Sequence, residues 1–162
     1  MRFVVGGNMT IAAGGALYAE NRTGSGSGGN ITLDIGQNLL LQGTSAPYAA
    51  AIVSSGADSN DAGGNIAFHV AGTTTLDAGS IVSSASKGGR AGAIAITANG
   101  RIHLNGLVAS GPSSALSATV NTGDVLAGNG SSKQQGGTIT VRSTTTVATL
   151  PAISVGASGT IV

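Results

Sequence analysis

Cysteine and tryptophan are absent from this chain of 162 residues, and aromatic and charged residues make up only 2% and 8% of it. Without cysteine there can be no disulfide bond, no thiolate zinc site and no thiol catalysis. The scarcity of large rings is unusual for a globular enzyme and favours a narrow interior filled by aliphatic side chains. With 41% hydrophobic residues and 28 glycines, the chain is also too apolar for a disordered polymer.

Charge and hydropathy argue against two further classes of protein, those that bind nucleic acids and those that span a membrane. Seven lysines and arginines stand against six acidic residues, which gives a formal net charge of +1. The basic residues are scattered and no aromatic residues are interleaved with them, so we expect no nucleic-acid partner. No apolar run is long enough to cross a bilayer, so we also expect no membrane span.

The chain does contain a recurring phrase, in which a pair of small residues precedes an alternation of aliphatic and small or polar side chains. The copies are Gly6–Ile11, Gly28–Leu33, Gly63–Phe68, Ala91–Ile96 and Gly136–Val141. The copies match one another while the intervals between them vary. This combination is typical of a solenoid, in which strands repeat and loops differ in length.

Period-two alternation predicts that each copy is a β-strand with one apolar face. In the second copy, Ile31 and Leu33 share a face that excludes Thr32. Aligning the copies predicts three inward columns, of which the first two begin with Met9 and Ile11. Their remaining members are Ile31, Ile66, Ile94 and Ile139 in the first column, and Leu33, Phe68, Ile96 and Val141 in the second. The third column is Ala13, Ile35, Val70, Ala98 and Ser143.

Two further strands are predicted after most copies. The second strands fall at 38–43, 73–78 and 101–106, and the third strands at 52–56, 81–85 and 107–111. The first copy has no clear third strand. Strands separated by glycine-rich corners predict an all-β fold, a three-sided parallel β-helix of about five rungs, in which corner glycines supply positive φ. We predict a single β-solenoid segment over 1–162, with a loop insertion at about 111–135.

Asparagine recurs directly after the glycine pair, at Asn8, Asn30 and Asn65. Asparagines at one corner of a solenoid commonly form a ladder, because their side-chain amides bond the backbones of neighbouring turns. A buried amide needs such partners. We therefore predict a structural ladder of these three residues.

Residues for catalysis or metal binding are sparse. Asp58 and Asp61 share a polar loop whose oxygen atoms suggest a weak Ca²⁺ site, although the spacing matches no calcium-binding repeat and a solvated turn is the favoured interpretation. His69 and His103 are predicted on different strands, so they should not chelate one metal. We expect no cofactor and no enzymatic activity.

Two loops are candidates for binding a partner. One contains Tyr48 and the other is the long interval that begins near Pro112. Long loops in a repeat protein are uncommon unless they carry function or small strands of their own. Both ends of the sequence look strand-forming and uncapped, which predicts either a piece of a longer solenoid or a subunit that stacks head to tail on copies of itself.

The cadence of these motifs resembles the filamentous-haemagglutinin-like, haemagglutination-activity-domain exoproteins of Gram-negative bacteria and cyanobacteria. The resemblance covers residues 6–162 and is carried best by Gly28–Leu33, Ala51–Gly56, Gly63–Ile66 and Ile81–Ser84. It implies a right-handed parallel β-helix that is exported and serves as a rod-like adhesin or biofilm component. Fold alone does not determine activity, so the function implied remains an expectation.

From the residues and the resemblance together, we expect a secreted or cell-surface bacterial protein that forms a rod, filament or extracellular matrix element. The alternative is an adhesin module whose loops bind glycans or a host surface. A polysaccharide-active β-helix enzyme comes third, because the carboxylates are scattered.

Overall fold

The computed structural model describes residues 1–43, 52–57, 61–77, 80–86, 91–105, 115–120, 139–145, 153–155 and 160–161. These residues form strands and the corners between them, with no helix in the described part. The strands are β1 Arg2–Val5, β2 Met9–Ile11, β3 Ala16–Tyr18, β4 Ile31–Ile35, β5 Leu39–Gln42, β6 Ile52–Ala57, β7 Ile66–Val70, β8 Thr74–Asp77, β9 Ile81–Ser86, β10 Ile94–Ala98, β11 Ile102–Asn105, β12 Ala115–Val120, β13 Ile139–Ser143, β14 Ile153–Val155 and β15 Thr160–Ile161. A search of the described residues for a helix able to span a membrane found none.

The strands assemble into three parallel sheets of five strands each. Sheet A has the order β1-β4-β7-β10-β13, sheet B the order β2-β5-β8-β11-β14, and sheet C the order β3-β6-β9-β12-β15. Each consecutive trio of strands therefore contributes one strand to each sheet, always in the same sequence. We call each trio a layer, with β1–β3 as the first and β13–β15 as the fifth. The prediction of an all-β, parallel-stranded chain is confirmed.

Strand pairing in sheet A aligns equivalent residues of successive layers. Ile31 pairs with Ile66, Ile66 with Ile94, and Ile94 with Ile139. A second row two residues further along joins Leu33, Phe68, Ile96 and Val141. The relative exposures of Leu33, Phe68 and Ile96 are all 0%, because a side chain in a middle layer is covered by its counterparts on both sides.

The three sheets share one hydrophobic core. Its buried members come from sheet A, from sheet B and, through Val82, from sheet C; they are Ile11, Ile31, Leu33, Ile35, Leu39, Leu41, Ile66, Phe68, Val70, Leu76, Val82, Ile94, Ile96, Ala98 and Ile102. Branched aliphatic side chains fill most of it, with Phe68 as the largest fully buried side chain. This packing is the physical counterpart of the chain's low aromatic content.

The first copy of the repeated phrase was aligned wrongly from sequence. Met9 and Ile11 lie in sheet B opposite Leu39 and Leu41, whereas the first-layer partner of Leu33 in sheet A is Phe3. The repeated phrase gives the wrong alignment because the pattern Gly-x-Asn occurs at two different corners, one before sheet A and one before sheet B. Gly6-Gly7-Asn8 is equivalent to Gly36-Gln37-Asn38, not to Gly28-Gly29-Asn30.

Two predictions about third strands were also wrong. The first layer does have a third strand, since β3 pairs with β6 from Ala16↔Ile52 onward. In the fourth layer the third strand is β12, Ala115–Val120, which pairs with β9 and lies inside the interval assigned to a loop insertion at about 111–135. Residues 107–111, where that strand was predicted, lie outside the described residues.

Some corner glycines have positive φ, as predicted, and others are required because two layers approach closely. Among the described residues, positive φ occurs at Gly14, Gly24 and Gly26 only. At Gly100 the amide donates to the carbonyl of Gly72 at 2.9 Å, and a Cβ there would lie 2.7 Å from the Gly72 carbonyl carbon. Successive layers thus approach too closely at this corner for a side chain on that side.

Thr74 supplies a sharp test of the core. It is fully buried, and its Oγ1 has no hydrogen-bond partner within the described structure. It pairs with Leu39 and Ile102 in neighbouring layers. Because an unpaired buried hydroxyl costs about 1–3 kcal/mol, Thr74→Val should raise the free energy of unfolding by about 1–2 kcal/mol, measured by chemical denaturation.

The matched control for Thr74 is its neighbour on the same strand. Thr75 points to the opposite face and is half-buried, so Thr75→Val should leave the free energy of unfolding nearly unchanged. Destabilisation by Thr74→Val would mean that the hydroxyl has a partner in solution and that the core has a different arrangement at this point.

Candidate functional site

Among the described residues, the first layer forms one end of the stack, where the edges of all three sheets lie. β1, β2 and β3 each occupy the end position of their sheet, so each pairs on one side only. In sheet A, the carbonyls of Met1 and Val5 accept from Thr32 and Gly36 at 2.9 and 2.7 Å. Because alternate residues of a strand turn their N–H and C=O to opposite sides, Val4 directs its backbone groups away from β4. Such unpaired edges are templates for the addition of another strand.

Apolar side chains are exposed at this same end. Four apolar residues of the first layer are only partly buried against the core, namely Phe3, Val5, Met9 and Leu17, while Ile11 in the same layer is buried. Their counterparts one layer further in are closed off, with Leu33 at 0%, Ile35 at 3% and Leu39 at 1% relative exposure. Among the described residues, the large hydrophobic side chains that are exposed outright are also in or beside this layer, and they are Met1 at 53%, Val4 at 72% and Tyr18 at 45%.

The outer surface of sheet A carries a cluster of ionisable side chains from three successive layers. Asp34 Oδ1 lies 2.8 Å from His69 Nδ1 on the adjacent strand, and Arg2 Nε donates to Asp34 Oδ2 at 2.7 Å. The sequence does place Asp34 and His69 in one outward column, yet it reveals their contact only once the register is known. An acidic residue and a histidine directly across from each other on neighbouring strands were the signal available.

A groove of about 420 Å³ passes this cluster at the corner that follows the strands of sheet A. One side is formed by Val4, Asp34, His69 and Thr97, from four successive layers, and the corner side includes Gly6, Gly36, Ala71 and Asn99. The contact with Asp34 occupies Nδ1 of His69, so Nε2 is the ring nitrogen that a ligand would meet. The groove therefore offers the imidazole of His69, the hydroxyl of Thr97 and the amide of Asn99. They lie beside the Asp34 carboxylate, which is paired with Arg2.

Hydrogen bonds from His69 and from Arg2 hold the pKa of the Asp34 carboxyl below its ordinary value of 3.8. A pKa lowered by folding means that the carboxylate stabilises the folded state above the ordinary value. That stabilisation is lost as the pH falls through the lowered pKa. Below pH 3.8, therefore, protonation of Asp34 progressively removes the stabilisation that this cluster gives to the folded state.

We predict that His69→Ala will raise the pKa of Asp34 toward 3.8, because it removes the larger of the two stabilising hydrogen bonds. The measurement is an NMR titration of the carboxyl carbon. Thr97→Ala, on the next strand, is the control and should leave the titration unchanged. An Asp34 titration that is the same with and without His69 would show that the two side chains do not pair in solution.

Asparagines at the corners form two ladders, where sequence predicted one. Asn30 Oδ1 accepts from the amide of Asn65 at 2.9 Å, and Asn65 Oδ1 accepts from the amide of Ala93 at 2.8 Å. Asn8 belongs to the second ladder, because its Oδ1 accepts from the amide of Asn38 at 3.0 Å.

The second ladder continues from Asn38 Oδ1 to the amide of Thr73, at 2.8 Å. Sequence reasoning missed Asn38, although it precedes Leu39 as Asn8 precedes Met9. These asparagines are exposed, not buried as predicted. They link consecutive layers along the outside of the corners that precede sheets A and B.

In the loop suggested as a calcium site, one carboxylate makes a hydrogen bond that links two corners. Asp61 Oδ2 accepts from the backbone amide of Gly26 at 2.6 Å, which ties together two corners from different layers. Asp58 lies outside the described residues, as do the candidate binding loops at Tyr48 and Pro112. Within the described ranges there is no group of three or more His, Cys, Asp or Glu side chains that could hold a metal ion.

No family model, no curated protein and no solved structure matches this chain. The candidate sites therefore rest on geometry alone. They are the apolar end of the stack at the first layer and the groove on sheet A.

Proposed function

We propose that this chain is a structural β-solenoid, a right-handed three-sided parallel β-helix of about five rungs that forms a rod or filament at a bacterial cell surface or outside the cell. The repetition of the same three sheets through five layers carries the proposal. The strand edges and apolar cross-section of such a layer are surfaces on which a further layer can be added.

A coil around one core is supported by the order in which the chain visits the sheets. Every layer contributes to sheets A, B and C in turn, and one hydrophobic cluster draws on all three. Ser84 Oγ, on sheet C, donates to the carbonyl of Gly64 at 2.7 Å, at the corner that leads into sheet A. A ring of three strands per rung accounts for these contacts, and the handedness follows the resemblance noted above.

The partner in this proposal is a second copy of the chain, stacked head to tail. A contact between two different faces of one molecule does not close on itself, so it produces filaments rather than a discrete dimer. The proposal includes no catalytic step and no cofactor. Its working parts are the columns of stacked side chains and the sheet edges.

Val4→Pro tests the proposal directly. Proline removes the backbone N–H that Val4 directs away from β4, so it blocks a strand added to this edge while leaving the β1–β4 pairing intact. We expect wild-type protein to form elongated assemblies in sedimentation velocity and electron microscopy, and Val4→Pro to remain monomeric. Val4→Ala keeps the N–H and should still assemble. Wild-type protein that stays monomeric at high concentration would overturn the proposal.

A binding module is the second candidate function, and the groove on sheet A supports it. A concave surface with a few convergent polar groups is the usual form of a ligand site. In this alternative the groove, together with surface loops, engages glycans or a host surface. Binding of wild-type protein to a glycan array, abolished by His69→Ala and retained by Thr75→Val outside the groove, would favour this function over the structural one.

A further inference from the structure

We propose that the groove on sheet A hydrolyses small, uncharged carboxylic esters, with His69 as the general base and the side-chain amide of Asn99 as the donor to the oxyanion. Both residues line the groove, and Asp34 holds the imidazole in place. This activity goes beyond the structural role proposed above and does not depend on assembly. The expectation of no enzymatic activity was based on the scattering of the carboxylates, whereas this group of side chains needs only one.

Asp34 determines which nitrogen of His69 is the base. Asp34 Oδ1 lies 2.8 Å from His69 Nδ1, and a carboxylate only accepts hydrogen bonds. A neutral His69 therefore carries its proton on Nδ1 and has its lone pair on Nε2. The His69 side chain is 60% exposed, so a substrate in the groove can reach Nε2. The carboxylate also stabilises the imidazolium that forms when Nε2 takes up a proton, as the aspartate of a serine hydrolase does.

Arg2 keeps Asp34 oriented and ionised. Its Nε and Nη2 both lie 2.7 Å from Asp34 Oδ2, which leaves Oδ1 to accept from His69. The hydrogen bonds from His69 and Arg2 lower the pKa of the Asp34 carboxyl, so the carboxylate is present at neutral pH. Arg2, Asp34 and His69 thus form a line across three successive layers, with Nε2 at its far end.

Asn99 supplies a hydrogen-bond donor for the charge that develops on the ester. Its Oδ1 accepts from Thr144 Oγ1 at 3.3 Å, which orients the amide and leaves the two N–H groups of Nδ2 to donate. Asn99 comes two residues after Thr97, and Thr97 pairs with His69. An oriented amide close to the reacting carbonyl stabilises the tetrahedral intermediate more than the ground state, which lowers the barrier.

The remaining surface of the groove determines the class of substrate. Val4, Val70 and Ala71 contribute apolar side chains, and the corner glycines Gly6 and Gly36 leave room beside them. A volume of about 420 Å³ accommodates a small ester with a short acyl group such as acetyl. The adjacent Asp34 carboxylate repels anionic substrates, so we expect neutral esters rather than phosphate esters or acidic polymers.

Water is the nucleophile in this proposal. His69 Nε2 takes a proton from water as the water oxygen bonds to the carbonyl carbon, and the carbonyl electron pair moves to the oxygen, which accepts from Asn99 Nδ2. The intermediate then collapses, the bond to the leaving oxygen breaks, and the alcohol departs with the proton from Nε2. One water is consumed, a carboxylic acid and an alcohol are formed, and His69 returns to its neutral form. Thr97, beside His69, contributes a hydroxyl that positions the water.

Hydrolysis of p-nitrophenyl acetate by the whole chain tests the activity. His69→Ala should lower kcat about a hundredfold, the lower end of the effect of a general base. His103→Gln removes the other histidine of the chain and should retain the wild-type rate. Circular dichroism checks that each variant folds. Equal rates for wild type and His69→Ala, or a wild-type rate no greater than that of free imidazole at the same concentration, would overturn the proposal.

Asn99→Ala distinguishes this site from an isolated surface imidazole, which also reacts with activated esters. We expect kcat to fall about tenfold with KM little changed, less than the loss in water-excluded sites because the groove is open. Thr144→Val removes the hydrogen bond to Asn99 Oδ1 but keeps the Asn99 N–H groups, so it should retain most of the activity. An Asn99→Ala protein as active as wild type would contradict the role of Asn99 as oxyanion donor.

Asp34 acts through His69 as a positioning residue, so its test includes a spectroscopic readout. NMR of the imidazole nitrogens should find the proton of neutral His69 on Nδ1 in the wild type. In Asp34→Asn the new amide can donate to Nδ1, which moves the ring proton to Nε2, and kcat should fall about tenfold or more with KM little changed. Asp77→Asn, on sheet B, is the control and should change neither measurement. A His69 tautomer and rate that do not respond to Asp34→Asn would overturn the role of Asp34.

Discussion

Ile66→Asp should reduce the free energy of unfolding by about 3–5 kcal/mol, the cost of leaving an unpaired charge in a buried position. Ile66 is 1% exposed and lies between Ile31 and Ile94 in the same row of sheet A. All three are apolar, so the new carboxylate would have no partner in its own row. A loss of this size would remove most of the folding free energy of a protein of ordinary stability.

Thr32→Asp is the matched control for Ile66→Asp. Thr32 is half-buried and belongs to the outer face of the adjacent layer, and it pairs with Arg2, whose guanidinium can donate hydrogen bonds to a nearby carboxylate. We expect a change of less than about 0.5 kcal/mol. Urea denaturation of both variants measures the difference. Equal tolerance at the two positions would mean that the two residues do not face opposite sides of sheet A.

Gly92→Ala should strongly destabilise the fold although it adds only one methyl group. Gly92 is buried, and its amide donates to Ser84 Oγ at 3.0 Å. A Cβ at this position would overlap the carbonyl oxygen of Gly64 and lie 2.7 Å from Ser84 Oγ. One added methyl group would therefore push apart two layers and displace the serine that connects sheet C to the corner before sheet A.

We expect Gly92→Ala to cost about 2–3 kcal/mol, because overpacking against backbone cannot be relieved by a side-chain rotation. Gly7→Ala is the control. Nothing lies within 4 Å of a Cβ built on Gly7, so alanine there should be neutral or slightly stabilising through the loss of unfolded-state freedom. Thermal melting of the two variants gives the comparison. A Gly92→Ala protein as stable as Gly7→Ala would show that the layers are further apart at this corner than the structure has them.

The asparagines illustrate how far a motif can be interpreted without coordinates. Their recurrence after small residues was enough to predict that they link neighbouring turns. It did not reveal that Asn8 and Asn30 serve different corners, since the local pattern Gly-x-Asn is the same before sheet A and before sheet B. The choice between the two corners depends on the length of chain in between, and that length varies from layer to layer.

The amino-acid sequence by itself determined the alternation within each strand, since a strand with one apolar face can bury only that face. Ile31, Leu33 and Ile35 therefore had to face the core together, whatever their partners. The partners were decided only by the tertiary structure, because register depends on how much chain is looped out between layers and not on any local preference. That register puts Phe3 rather than Met9 in the sheet A core and places the third strand of the fourth layer at Ala115–Val120. The contact of Asp34 with His69 has the same origin, since residues 35 positions apart become neighbours only when two layers are stacked.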